Sequence, residues 1–377
     1  MKNFKNFLFV LLFVQANSLF AQASDDERKD SSLTERKIHK EIYGYLEPYY
    51  TYSLSENNKN FGEITTLDNH SLYNKPALNI AILGGKVETP RISARTSLMV
   101  EDFGFSNNDA FELSLYESAV SVHLFDIKKK DSTGEKVKKG RVYTEAGIFS
   151  SHIGFEGYIG SDCWMLTRTI TAENSPYRER GFVLKSEYGK LQMNVYLLTG
   201  WDLNISPHYR FPNYGTQFAY SFNNWKLNYS NYFGSDIGTV KLLQYHNFYA
   251  IYDHPDNAGK VSFTVGLDHG NIAYNYTPSK SWTVGMMIGK YTLKNNRFAL
   301  TARGEFASDP DGVIYFRSDN FIYGGAAGID YMPELPLDAK VRFEIKYLTS
   351  REDVFPNNSH HSAKNYAGAC IAFAVPF

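Results

Sequence analysis

The chain has 377 residues, a formal net charge of −1 and two cysteines. The near balance of 39 basic against 40 acidic side chains excludes the basic excess of a nucleic-acid binder, and two cysteines exclude a disulfide framework. Aromatic residues make up 16% of the chain although mean hydropathy is only −0.37, so its apolar residues are dispersed rather than gathered into blocks.

The chain opens MKNFKNFLFVLLFVQANSLFAQASDD. Lys2 and Lys5 precede an apolar run over 7–14, and the small residues Ala21 and Ala23 follow, which is the order of a secretory signal peptide. The run is too short to cross a bilayer, which takes about 20 residues. Cleavage after Ala21 or Ala23 fits the pattern, and we place it after Ala21, making 1–21 the signal peptide. Residues 22–40 are polar and charge-rich and read as a flexible periplasmic tail. The remainder, 41–377, reads as an outer-membrane β-barrel.

From residue 42 the chain alternates with period two. Strands are expected over 42–53, 77–86, 91–102, 110–125, 141–149, 178–188, 190–200, 213–222, 225–233, 241–253, 260–269, 281–291, 297–307, 321–332, 338–349 and 364–377. That is about 16, an even number, as in bacterial single-chain barrels. In KVRFEIKY, Val341, Phe343, Ile345 and Tyr347 share one face, while Lys340, Arg342, Glu344 and Lys346 share the other. A soluble sandwich also alternates, but here the second face carries charges of both signs strand after strand, as a water-filled lumen does. Weak hydropathy, dyad alternation and abundant aromatics together indicate an all-β fold, a transmembrane antiparallel up-and-down barrel. Alternate connections are long and short, as external loops and periplasmic turns should be. The lysine-rich fourth connection, DIKKKDSTGEKVKKG, breaks that rule and reads as a disordered extension of a turn.

A barrel of this size leaves an aqueous channel, and the third external loop, 150–177, is the longest. Its glycines allow sharp turns, Ser161 or Asp162 can cap a helical turn, and Pro176 ends the helical run. Trp164, Met165 and Ile170 can pack on the wall, leaving Arg168 and Glu173 for solvent. Folded inward, the loop would narrow the pore through Asp162, Cys163, Trp164, Arg168 and Glu173. The plain alternative is an external loop packed on its neighbours, with Arg168 paired to Glu173. The expected lumen lining is Arg95, Glu101, Glu145, Arg303, Glu305, Arg342, Glu344 and Lys346. The chain ends ACIAFAVPF, whose Phe373, Val375 and Phe377 share a face and form a terminal signal for membrane insertion.

The run AGIFSSHIGFEGYIGSDCWMLTRTITAENSPYRERG, Ala146 to Gly181, resembles the OmpL-like β-barrel porin family common in Bacteroidota. Members carry similar AGIF-x-SHIGFE, IG-x-DCW-x-LTR and AENSPY stretches, and the likeness continues more weakly, as in YHNFYAIY at 245–252. The resemblance implies an outer-membrane pore for small hydrophilic solutes with no cofactor, and it carries over no catalytic residues. The sequence departs from the family at the lysine-rich connection and at Ser150, where a proline is common.

Other constellations are weaker. Cys163 and Cys370 could form a bridge in an oxidising periplasm, though two buried thiols are the simpler reading. Ser150, Ser151 and His152 suggest a hydrolase, but there is no GxSxG elbow and no acid placed to orient the histidine. His360 and His361 with Glu352 and Asp353 lack a spaced third metal ligand, and DPDG at 309–312 reads as a turn. The sequence therefore points to a passive diffusion porin, with a plugged barrel of structural or surface-binding role as the alternative. Its surroundings would be outer-membrane lipid and lipopolysaccharide, the barrel-assembly machinery and small solutes. A homotrimer is compatible with a chain of this size.

Overall fold

The computed structural model describes residues 38–55, 62–64, 67–102, 111–130, 136–203, 212–235, 240–256, 259–356 and 362–377. The expected signal peptide and most of the expected tail lie outside the described residues, as does the His360-His361 pair. Sixteen strands form one closed barrel. They are β1 His39–Ser53, β2 Pro76–Glu88, β3 Ile92–Asp102, β4 Phe111–Lys130, β5 Lys136–Ser150, β6 Arg178–Tyr188, β7 Leu191–Leu198 and β8 Asn213–Phe222. The second half comprises β9 Trp225–Gly234, β10 Val240–Asp256, β11 Gly259–Tyr274, β12 Lys280–Leu293, β13 Phe298–Asp311, β14 Ser318–Tyr331, β15 Lys340–Ser350 and β16 Asn365–Pro376. Each strand pairs antiparallel with its neighbours in sequence, and β1 closes on β16 from Tyr45↔Pro376 to Ser53↔Gly368. Hydrocarbon offers no partner for a free strand edge, and closure removes every edge.

The two faces explain why these segments are strands. On β15, Phe343, Ile345 and Tyr347 are exposed and point outward, while Arg342, Glu344 and Lys346 are buried and point inward. Near the short-turn rim, outward aromatics pair across strands, as Trp225 with Tyr252 and Phe298 with Tyr331, at ring separations of 4.8 and 5.0 Å. This is an interfacial girdle. We place the short turns, the start of β1 and the end of β16 on the periplasmic side, as this architecture does.

Two expectations need correction. β1 begins at His39, so residues 39 and 40 belong to the barrel rather than to the tail. Most of the fourth connection is strand rather than an extended turn. β4 continues to Lys130 and β5 starts at Lys136, with Lys128↔Lys138 and Lys130↔Lys136 in register. Pairing resumes after one register irregularity between Ile127 and Lys128, so the ladder runs on past the rim.

The external connections L1 (54–75), L3 (151–177), L7 (312–317) and L8 (351–364) matter most for function. Ile64, Leu67 and Tyr73 of L1, Ile153 and Ile170 of L3, Tyr315 of L7 and Phe355 of L8 join one buried apolar cluster. Its strand members, among them Tyr196, Tyr232, Tyr245, Trp282 and Tyr366, lie toward the strand ends nearest those loops. The extracellular half of the barrel interior is therefore packed like a domain core.

Candidate functional site: the loop inside the barrel

L3 leaves β5 through a glycine-dependent wall. Gly147 and Gly181 pair across β5 and β6. Their φ values are 131° and 157°, and a Cβ on either would stand 2.1 Å from a carbonyl oxygen of the adjoining strand. His152 then turns the chain inward. Its Nδ1 lies 2.8 Å from the Glu179 carboxylate and its Nε2 lies 2.8 Å from the Asn231 carbonyl oxygen, with the ring stacked on Tyr196. Ser230 Oγ and Gln217 Nε2 donate to the His152 carbonyl at 2.7 and 3.2 Å. Gly154 N donates to Asn247 Oδ1 at 3.1 Å. One end of L3 is thus fixed to β6, β8, β9 and β10.

The other end is fixed to the opposite wall. Arg342 donates to the carbonyls of Gly160 and Cys163 at 2.6 and 3.1 Å while paired to Asp330 at 2.8 Å. Arg303 donates to the Thr167 carbonyl at 2.7 Å and pairs with Glu305 at 3.0 Å. Glu344 accepts from Thr167 N at 3.1 Å and also from its hydroxyl. Glu305 accepts from Ile170 N at 2.8 Å, and Lys346 Nζ donates to the Arg168 carbonyl at 3.3 Å. On the β1 side, Tyr45 OH accepts from Ser161 N at 3.0 Å. Between these tethers Met165 packs on Met286, Ile288 and Ala326, and Leu166 packs on Tyr49, Leu72, Cys370 and Ala372.

Several expected roles change. Arg168 is not left for solvent; it is fully buried and donates to the carbonyls of Gly157, Leu166 and Tyr158 at 2.7, 2.8 and 2.9 Å. It shapes the loop from within. Glu173 is only partly exposed, and it accepts from Asp68 N of L1 at 2.6 Å rather than pairing with Arg168. Burial pushes its carboxyl up to about 8, and nearby Asp68 adds to the rise. The turn over Gly160–Asp162 is a 3-10 turn capped by Ile159 without a side-chain bond, so neither Ser161 nor Asp162 caps it. The α-helical turn Ile170–Glu173 is capped by the Thr169 hydroxyl, which accepts from Ala172 N at 3.1 Å.

Asp162 is exposed, Trp164 is half-buried and Cys163 is buried. Both cysteines are free: Cys163 lies within L3, and Cys370 lies against Leu166 on β16. Of the expected lumen lining, Arg303, Glu305, Arg342, Glu344 and Lys346 point inward but are covered by L3. The reason is that their charges serve the loop's backbone and one another instead of water. Glu101 is half-buried on the inward side of β3.

Arg95 and Glu145 belong to a separate mesh beneath the loop. Arg95 bridges Glu117 and Glu145 at 2.5 and 2.6 Å, and Lys185 holds Glu145 at 2.8 Å. The adjoining recess, about 620 Å3, is lined by Tyr43, Lys86, Arg91, Arg95, Glu117, Arg141 and Tyr143 among others. These residues come from the short-turn halves of β1 to β5, so the recess faces the periplasm.

Sequence reasoning missed Glu179. It accepts from Ser151 Oγ at 3.0 Å and contacts His152, so an acid does orient the histidine. Yet Ser151 bonds the carboxylate, and the imidazole's other nitrogen is occupied by a backbone carbonyl. A nucleophilic triad needs serine on the imidazole, and this trio instead fastens a loop. The spacing gave no sign of it, because Glu179 lies across the loop from its partners.

The family model described as "Putative beta-barrel porin-2, OmpL-like" matches residues 40–377. A search of curated proteins finds no match. Among solved structures, the chain is similar to an anion-selective porin from Comamonas acidovorans, with 11% identity and a TM-score of 0.59 over 90% of this chain and all of that one. It is also similar to the outer membrane channel DcaP of Acinetobacter baumannii, with 12% identity and a TM-score of 0.57 over 90% and 97% of the two chains. OmpF of Salmonella typhi in complex with daunomycin shows 10% identity and a TM-score of 0.56 over the same shares. At these identities the likeness is one of fold. The family match, the closed sixteen-strand barrel and its tethered inner loop agree: the chain belongs to the OmpL-like β-barrel porins and is a channel protein of the bacterial outer membrane.

Proposed function

We propose that this porin passes small hydrophilic solutes passively and that L3, not the strand ring, sets the size limit. The observation that carries this reading is the two-sided tether, with His152 fixed to one wall and Gly160 to Ile170 fixed to the other. Asp162 and Trp164 edge the passage, while Cys163, Arg168 and Glu173 hold the loop in shape. Fixed charges of both signs in the recess order water and favour polar over apolar solutes. The Ser151, His152 and Glu179 trio supports a structural role rather than catalysis. Residues 1–21 would direct export, residues 22–38 would remain in the periplasm, and Phe373, Val375 and Phe377 would guide assembly into lipid and lipopolysaccharide. A homotrimer fits the architecture; one solved neighbour, OmpT of Vibrio cholerae, is described in a trimer form.

A second reading, a plugged barrel, rests on the apolar cluster formed by L1, L3, L7 and L8. Single-channel conductance separates the two. The mature chain in a planar bilayer should give steady steps, and a variant lacking residues 161–173 should give steps several-fold larger. Silence from the intact chain with large steps from the deletion would make the barrel plugged.

A further inference from the structure

The arm made by the ends of β4 and β5 lies outside everything L3 does. It starts where Phe125 points outward, 57% exposed, and continues through Lys128↔Lys138, Lys129↔Val137 and Lys130↔Lys136. Residues 126–141 carry seven basic side chains against three acidic ones. Asp126 opposes Arg141 in register and pairs with Lys138 at 2.7 Å, and both Arg141 and Lys138 line the recess. By strand alternation Lys128 and Lys130 share the face of Asp126. The face that carries Lys128 and Lys130 is therefore turned toward the mouth of the recess, and Lys129 lies on the other face.

Like charges placed directly opposite one another destabilise a ladder, yet this arm sets Lys128 against Lys138. Among the described residues, Lys128, Lys130 and Arg91 at the recess lip make no ion pair. An anion at the mouth would offset that repulsion.

We propose that the arm and the recess form an anion-collecting periplasmic mouth, and that small solutes bearing carboxylate or phosphate groups are those this channel favours. The proposal rests on the passive-channel reading and names its solute class. Exposed lysines raise the local anion concentration within about one Debye length, roughly 10 Å at 0.1 M salt.

The test compares the mature chain with Lys128→Gln/Lys130→Gln and Lys128→Glu/Lys130→Glu in planar bilayers under a potassium chloride gradient. Reversal potentials should show a chloride preference in the intact chain. The glutamine pair should reduce it about two- to three-fold near 0.1 M salt, the glutamate pair should reduce it further, and the differences should fade near 1 M. Unchanged preference in both pairs overturns the proposal while leaving the channel reading intact. Absence of conductance overturns the channel reading instead. In that case calorimetric titration of citrate into the detergent-solubilised barrel still decides: binding weakened by the glutamine pair supports the anion mouth, and equal or absent binding overturns it.

Discussion

Arg168 shows how far a single side chain can depart from its local sequence context. LTRTITAE reads as an amphipathic turn with a solvated arginine, but three carbonyls of L3 converge on that guanidinium. Nothing in the spacing announces the convergence, because Gly157 and Tyr158 reach Arg168 only after the chain doubles back. Glu173 lends itself to a titration. Its carboxyl holds its proton to about 8 when L3 is docked on L1, against an ordinary value of 4.5. The charged form is thus the disfavoured one. Docking is strongest below the ordinary carboxylate range, weakens as pH rises toward about 8, and loses nothing further above it. Limited proteolysis of L3 should accelerate between about pH 5 and pH 8 and then level off. Glu173→Gln, which keeps the neutral shape, should flatten that profile; an unchanged profile would assign the effect to another group.

At the scale of elements, all sixteen barrel strands were legible, because lipid on one side and charged or loop-filled space on the other impose a strict period of two. The β15 faces expected from KVRFEIKY are the faces observed. The arm was misread since lysine density looks like disorder, whereas the ladder asks only for alternation and a paired partner. The inward folding of L1, L7 and L8 was also missed: single apolar residues such as Ile64, Tyr315 and Phe355 carry no periodicity. The wall beneath L3 depends on one glycine pair, which gives a sharp prediction. Gly147→Val puts a branched Cβ against the Ser118 carbonyl at a φ of 131°. The backbone strain alone should cost about 1–3 kcal/mol. Refolding in detergent, followed by the heat-dependent gel shift, should give a clearly lower folded fraction; a wild-type yield would mean that β4 and β5 can shift apart freely.

For the whole molecule, the seam between β1 and β16 is the contact that makes a ring from a sheet. Phe377 N donates to the Gly44 carbonyl at 3.0 Å, Gly44 N donates to the Phe377 carbonyl at 2.7 Å, and a Cβ on Gly44 would collide with the Phe377 ring. Deleting Phe377 removes both bonds, about 1 kcal/mol each, and uncovers the seam. The folded yield should drop although the strands remain; an unaltered yield would show that the rest of the β1–β16 ladder suffices. The same seam governs timing. It joins residues more than three hundred positions apart in sequence, far more than any neighbouring hairpin spans, so it carries the largest loop-closure cost and should form last. Until the last strand has met β1, the sheet has two open edges and its aromatic faces are unpaired. Such a chain is most vulnerable to misassociation while it is nearly complete, and escort across the periplasm would matter more for it than speed of synthesis.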